Sequence, residues 1–146
     1  MKRILVCLDA SPRAPVVLEA AVDLARRLGA RLALFRSVGL PPEIDQEYYV
    51  HSPNNVLDTM LSKAKADISE LAKSVSAGLV EGSFVRVGTP WDAICTEAKE
   101  LDADLIVIGS HGYAGLDRLL GTTAAKVVNH ADRSVFVVRG KGHTST

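Results

Sequence analysis

Aromatic side chains are scarce in this chain, at 5% of residues with a single tryptophan. Surfaces that hold single-stranded nucleic acid stack bases on exposed aromatics, and little material for that is present. Neither sign of charge is in excess: 17 basic and 17 acidic side chains cancel. No net positive field gathers nucleic acid or anionic lipid. Cysteine is limited to Cys7 and Cys95, far apart in sequence and without the paired spacing of a metal knuckle. Both read as reduced and structural, Cys7 as a small hydrophobe in an apolar run and Cys95 on a helix. His51, His111, His130 and His143 show no ligand spacing, which argues against zinc. No apolar run reaches the length of a bilayer span. The basic start MKRILVCLDAS has an apolar stretch that stops at Asp9, too short for a secretory signal. The expectation is a cytoplasmic protein with neither membrane nor nucleic acid as partner.

What is abundant is apolar side chain, 47% of 146 residues, enough for one buried core. The pattern along the chain alternates. RILVCLD (3–9) is a short continuous apolar run, the look of a strand buried on both faces. Ser11 and Pro12 supply a cap and a first-turn proline, and 14–29 has helical spacing ending in Arg26, Arg27 and Gly29. Strands are expected at 31–38, 80–88, 103–109 and 134–140, and helices at 54–77, 89–102 and 122–132. Thr89 and Pro90 cap and open the third helix, and 39–54 is a long loop. Strands alternating with helices predict an α/β domain with a parallel sheet covered on both faces, over 1–140, followed by a fraying tail at 141–146.

Such sheets bind ligands at the carboxyl ends of their strands, where the strand order reverses. There the sequence places Asp9, the 38–54 loop, Gly88, and VIGSHGYAGLDRLLGTT (107–123). That last stretch holds Gly109, Gly112, Gly115 and Gly121 within thirteen positions. Gly121, Thr122 and Thr123 stand at the start of a helix, where backbone amides lack internal partners and the dipole is positive. A glycine before that turn lets an anion sit against the backbone, and a threonine hydroxyl adds a donor. The same glycines can also simply make turns, with Thr122 as an ordinary cap. Neither a Walker A motif nor a dinucleotide fingerprint is present.

ILVCLDAS at the start, GTPWDAI in the middle, and DLIVIGSHG then LLGTTAAKVVNHADRSVFVVR at the end resemble the universal stress protein family, in the right order over nearly the whole chain. The resemblance implies a doubly wound five-stranded parallel sheet of order 3-2-1-4-5. It also implies an adenine-nucleotide site for ATP with Mg2+. Asp9 would touch the ribose or, indirectly, the accompanying metal ion, and Val38 would meet adenine through its backbone. Ile108 and Gly109 would line the adenosine, while Gly112, Gly121, Thr122 and Thr123 would cradle ribose and phosphates. The last strand, with Val135, Phe136, Val137 and Val138, would pair across a two-fold axis in a homodimer. Two departures stand out: the spacer 113–120 is one residue shorter than the family's usual one, and Ala10 follows Asp9 where many members have glycine.

Other residues have plainer readings. The plainer reading of Asp9 is a cap for the first helix, although Ser11 is the better candidate. His111 reads as a solvated loop residue, His130 as a helix-end group, and Trp91 as a packing anchor. Asp117 and Arg118 would pair locally or with a second subunit, and Tyr48 and Tyr49 would cover the crevice or meet a partner. No nucleophile with base and orienting partner is visible. A dimeric nucleotide-binding switch in a stress response, at most a slow ATPase, is the leading function. The alternatives are an adenylating or phosphoryl-transfer enzyme on the same fold, and a nucleotide-free adaptor that the shortened spacer would favour.

Overall fold

A strand that is apolar on both sides needs a covering layer on each. In the computed structural model, which describes residues 1–39, 56–110 and 120–140, β1 (Arg3–Cys7) is such a strand. Its side chains divide between two separate cores. Ile4 and Val6 pack with Leu18, Ala21 and Ile68 on one face, and Leu5 and Cys7 with Phe35, Ile94 and Val127 on the other. Around β1 lie β2 (Arg31–Val38), β3 (Val80–Val87), β4 (Leu105–Gly109) and β5 (Ser134–Val138). All pairings are parallel and the order is β3-β2-β1-β4-β5. Helices α1 (Ala14–Leu28) and α2 (Val56–Ala72) cover the first face, and α3 (Pro90–Glu100) and α4 (Thr122–His130) the second. The strand order reverses between β1 and β4, which leaves a crevice at their carboxyl ends.

The doubly wound sheet and its order are as expected, whereas several ends move. β1 stops at Cys7 rather than at residue 9, and Leu8 N–H still reaches Phe35 O at 2.8 Å. The second helix ends at Ala72, not 77, because Lys73, Ser74 and Val75 donate to carbonyls three residues back, which tightens the chain out of α-helical geometry. A 3₁₀ turn, Ala77–Leu79, then leads into β3. Ser11 does not cap α1. The cap position is Arg13, without a side-chain cap bond, and Pro15 rather than Pro12 lies in the first turn. The Ser11 hydroxyl instead accepts the Arg13 N–H at 3.2 Å. Thr89 occupies the cap of α3 as expected, again with no side-chain bond. The far end of α1 follows the sequence closely: Gly29 adopts φ 67°, and its N–H returns to Ala25 O.

Charged groups fasten the sheet margins. Arg86 on β3 donates to Glu97 at 3.0 Å and Glu100 at 2.7 Å, tying the edge strand to α3. Arg133 donates to the carbonyls of Ala98 and Ala103, both at 2.8 Å, and closes the turn between α3 and β4. The Asp104 carboxylate accepts the N–H groups of Lys2 at 2.8 Å and Arg3 at 2.9 Å, pinning the start of β1 beside β4. Those two amides hold the Asp104 carboxyl below its usual range. Its folded value therefore lies under the unfolded one of about 3.9, so the stabilisation is complete above that pH and is lost as pH falls through the folded value. Asp104→Asn is expected to lower the urea midpoint at neutral pH, with the gap to wild type closing below about pH 4. A gap that stays constant into acid would refute this role.

Candidate functional site

The crevice between β1 and β4 opens into a cavity of about 430 Å³. Its floor is apolar, from Cys7, Leu8, Phe35 and Ile108, with Val17 of α1 and Ile94 of α3 at the sides. Its polar groups come from separate parts of the chain: Asp9 and Ser11 after β1, Arg36 and Ser37 on β2, and Thr122 and Thr123 on α4. An apolar pocket with a few convergent polar groups is the usual form of a small-molecule site.

The N-terminal turn of α4 lines this cavity. Gly121 occupies the cap position with no side-chain cap bond, and the first intrahelical bond runs from Ala125 N–H to Gly121 O at 2.9 Å. The amides of Thr122, Thr123 and Ala124 precede that bond, and all three residues line the cavity. Thr122 is thus the first helical residue and not the cap. Gly121 N–H donates to Ser110 O at 3.0 Å, and Ser110 N–H to Val138 O at 2.9 Å. The two feet of the glycine loop are therefore tied to each other and to β5.

Asp9 lines the cavity, and its Oδ1 accepts the Ser11 N–H at 3.0 Å. Ile108, Gly109, Gly121, Thr122 and Thr123 also line it, so one cavity gathers Asp9 and the described part of the glycine loop. Val38 is not among the lining residues; Ser37 is. β2 and β3 pair up to Val38 and Val87, and Val38 O accepts the Gly88 N–H at 3.0 Å. Gly88 has φ 151°, which explains glycine at this turn. Gly112, Gly115, His111, Asp117, Arg118, Tyr48, Tyr49, His51 and His143 lie outside the described residues, as does the 141–146 tail.

Cys7 is buried in the floor, and burial pushes its thiol far above the usual range, with Cys95 and Asp9 adding to the shift. The thiol stays protonated and is therefore a poor nucleophile or metal ligand. Both cysteines are free, and burial also raises Cys95. Trp91 packs against the second core, its ring 4.5 Å from that of His130, with Lys126 Nζ 5.8 Å from its centroid. His130 Nδ1 contacts Lys126 O at 2.8 Å. Both residues thus serve packing at the α3–α4 seam. β5 is an edge strand among the described residues. Phe136 on it is 42% exposed, while Val138 is buried and Val135 and Val137 are partly covered.

Arg36 is a site residue that pattern reading passed over. It is the only charged residue between Arg31 and the end of the apolar run RLALFRSV. A lone cation inside a strand otherwise buried on both faces is the signal that could have found it, since such a charge needs several buried partners. It has them: Nε–H donates to Leu8 O at 3.2 Å, Nη2–H to Asp9 O at 2.9 Å, and Nη1–H to Asp67 Oδ2 at 3.0 Å.

A doubly wound sheet with a polar, glycine-bearing crevice at its switch point defines the open α/β class, whose members hold ligands at that position. The universal stress protein family model matches residues 1–139, and the chain belongs to that family. It is 34% identical to universal stress protein A homolog 2 of Coxiella burnetii, over 97% of each chain. Among solved structures it resembles the universal stress protein UspA from Lactobacillus plantarum, with TM-score 0.76 and 28% identity over 94% of this chain and 97% of that one. It also resembles a universal stress protein in complex with cAMP, with TM-score 0.64 and 26% identity over 94% and 96%. A third is the universal stress protein from Archaeoglobus fulgidus in complex with dAMP, with TM-score 0.59 and 25% identity over 95% and 98%.

Proposed function

We propose that this chain binds an adenine nucleotide, ATP, in the β1–β4 cavity and acts as a dimeric stress-response switch with at most slow hydrolysis. The observation that carries the reading is the meeting of Asp9 with Gly121, Thr122 and Thr123 around one cavity at the switch point. The cAMP and dAMP complexes of related proteins support the adenine preference. In this reading the adenosine lies along Ile108 and Gly109 toward the Val38 end of β2. The phosphates face the amides and hydroxyls of Thr122 and Thr123, with Gly112 completing the cradle. Asp9 meets the ribose or the water shell of a magnesium ion.

The ion's main ligands would be the phosphates themselves. No group of three or more His, Cys, Asp or Glu able to hold a metal occurs among the described residues. Among the described residues that line the cavity, Asp9 is the sole carboxylate. The exposed Phe136 on edge strand β5 supports pairing through that strand. No helix among the described residues is long and apolar enough to cross a membrane.

Calorimetric titration of the nucleotide-stripped protein with Mg-ATP is the direct test, with light scattering on the same sample for its mass. Saturable one-to-one binding per protomer by a dimer is expected. A folded dimer that takes up no ATP would sink the nucleotide reading and point to an adaptor.

A further inference from the structure

Burying a guanidinium is costly unless every polar edge is used. Arg36 is 9% exposed, and each of its three nitrogens has a partner. Two of those partners are the carbonyls of Leu8 and Asp9, the residues where the chain leaves the sheet and begins to line the cavity. Sheet pairing of β1 ends at Cys7 opposite Phe35. Beyond that point the planar fork of Arg36 takes over the task of fixing the backbone, with a geometry that an ammonium cannot reproduce. Ser11 N–H meanwhile holds the Asp9 carboxylate at 3.0 Å. The third nitrogen of Arg36 reaches Asp67 on α2, a carboxylate that also has Lys63 at 3.5 Å.

We infer that Arg36 is the positioning residue that aims Asp9 at the bound nucleotide, and that Asp67 holds Arg36 in place, so that affinity at the cavity depends on helix α2. This rests on the nucleotide reading above. The alternative is that Arg36 serves the site as a positive charge. The two make opposite demands on Asp67: removing its charge weakens binding if it braces the fork, and tightens binding if it neutralises an attractive cation.

The test is a double-mutant cycle read by calorimetry with Mg-ATP on the full chain, using wild type, Arg36→Met, Asp9→Ala and the double variant, with Asp67→Asn alongside. Urea midpoints check that each is folded. Arg36→Met is expected to weaken binding about tenfold in the wild-type background and less than about twofold once Asp9 is alanine. Asp67→Asn is expected to weaken it about threefold. Should Arg36→Met not fold, Arg36→Lys serves: it keeps the charge and loses the fork, so weakening supports positioning and unchanged affinity overturns it. Additivity of Arg36→Met with Asp9→Ala, or tighter binding by Asp67→Asn, likewise overturns the inference while leaving ATP binding intact. Absence of ATP binding by the wild type overturns both.

Discussion

Gly121→Val is expected to reduce ATP affinity by at least about a hundredfold in a protein that remains folded. The backbone at Gly121 has φ −62° and ψ 161°, an extended conformation that any residue adopts. The variant therefore carries no left-handed strain, and the urea midpoint shows whether the added volume at this buried position leaves the fold intact. What changes is the space in front of α4. Gly121 is buried, lines the cavity and stands immediately before the amides of Thr122, Thr123 and Ala124. A branched side chain at that position keeps a phosphate from closing on those amides, and a displaced phosphate loses both the hydrogen bonds and the helix-terminal field. Calorimetry reads the loss, and an unchanged urea midpoint guards against misfolding. If Gly121→Val binds ATP as the wild type does, the phosphates do not approach this turn, and the role of Thr122 and Thr123 falls with it.

Phe35→Ala is expected to destabilise the fold by about 3 kcal/mol, read as a lower urea midpoint at unchanged slope. Phe35 is fully inaccessible and among the largest buried side chains. It lies on β2 in the core formed with Leu5, Cys7, Ile94 and Ile106. Truncating a buried phenylalanine costs about 3–5 kcal/mol, part of it for the void left behind. Here the void opens toward the β1–β4 cavity, which Phe35 also lines. Water can enter from there, so the void term shrinks and the lower end of the range applies. A change under about 1 kcal/mol would mean that the floor collapses onto the gap, and the cavity would then be softer than its strand walls suggest.

Residue pattern alone carried the element order, the α/β class and the residues that lie at strand ends. All of these follow from local periodicity, from continuous apolar runs such as ADLIVIG, and from punctuation by Gly29, Gly88 and Pro90. The strand order came from the family resemblance, because pairing is a property of the whole chain and no short window holds it. Capping chemistry was legible by residue type but not by outcome. Ser11 looks like a cap, yet its hydroxyl accepts the Arg13 N–H and α1 starts later. Such contests between neighbouring donors and acceptors are decided by local geometry.

The family resemblance implied that Asp9 and Gly121, more than one hundred residues apart in sequence, meet at one site, and the tertiary structure brings both to one cavity. It also decided that Ser37 rather than Val38 lines it, and that the feet of the glycine loop are tied by a hydrogen bond. Arg36 is the plainest case. In the sequence it is an arginine in an apolar run. In the fold, β2 lies beside β1, and the guanidinium meets the carbonyls of Leu8 and Asp9 just past the end of β1, with a carboxylate from α2 at its third edge. Its partners are 27, 28 and 31 residues away along the chain. A buried charge is explained by what surrounds it in space, and that surrounding exists only after the strands have found their order.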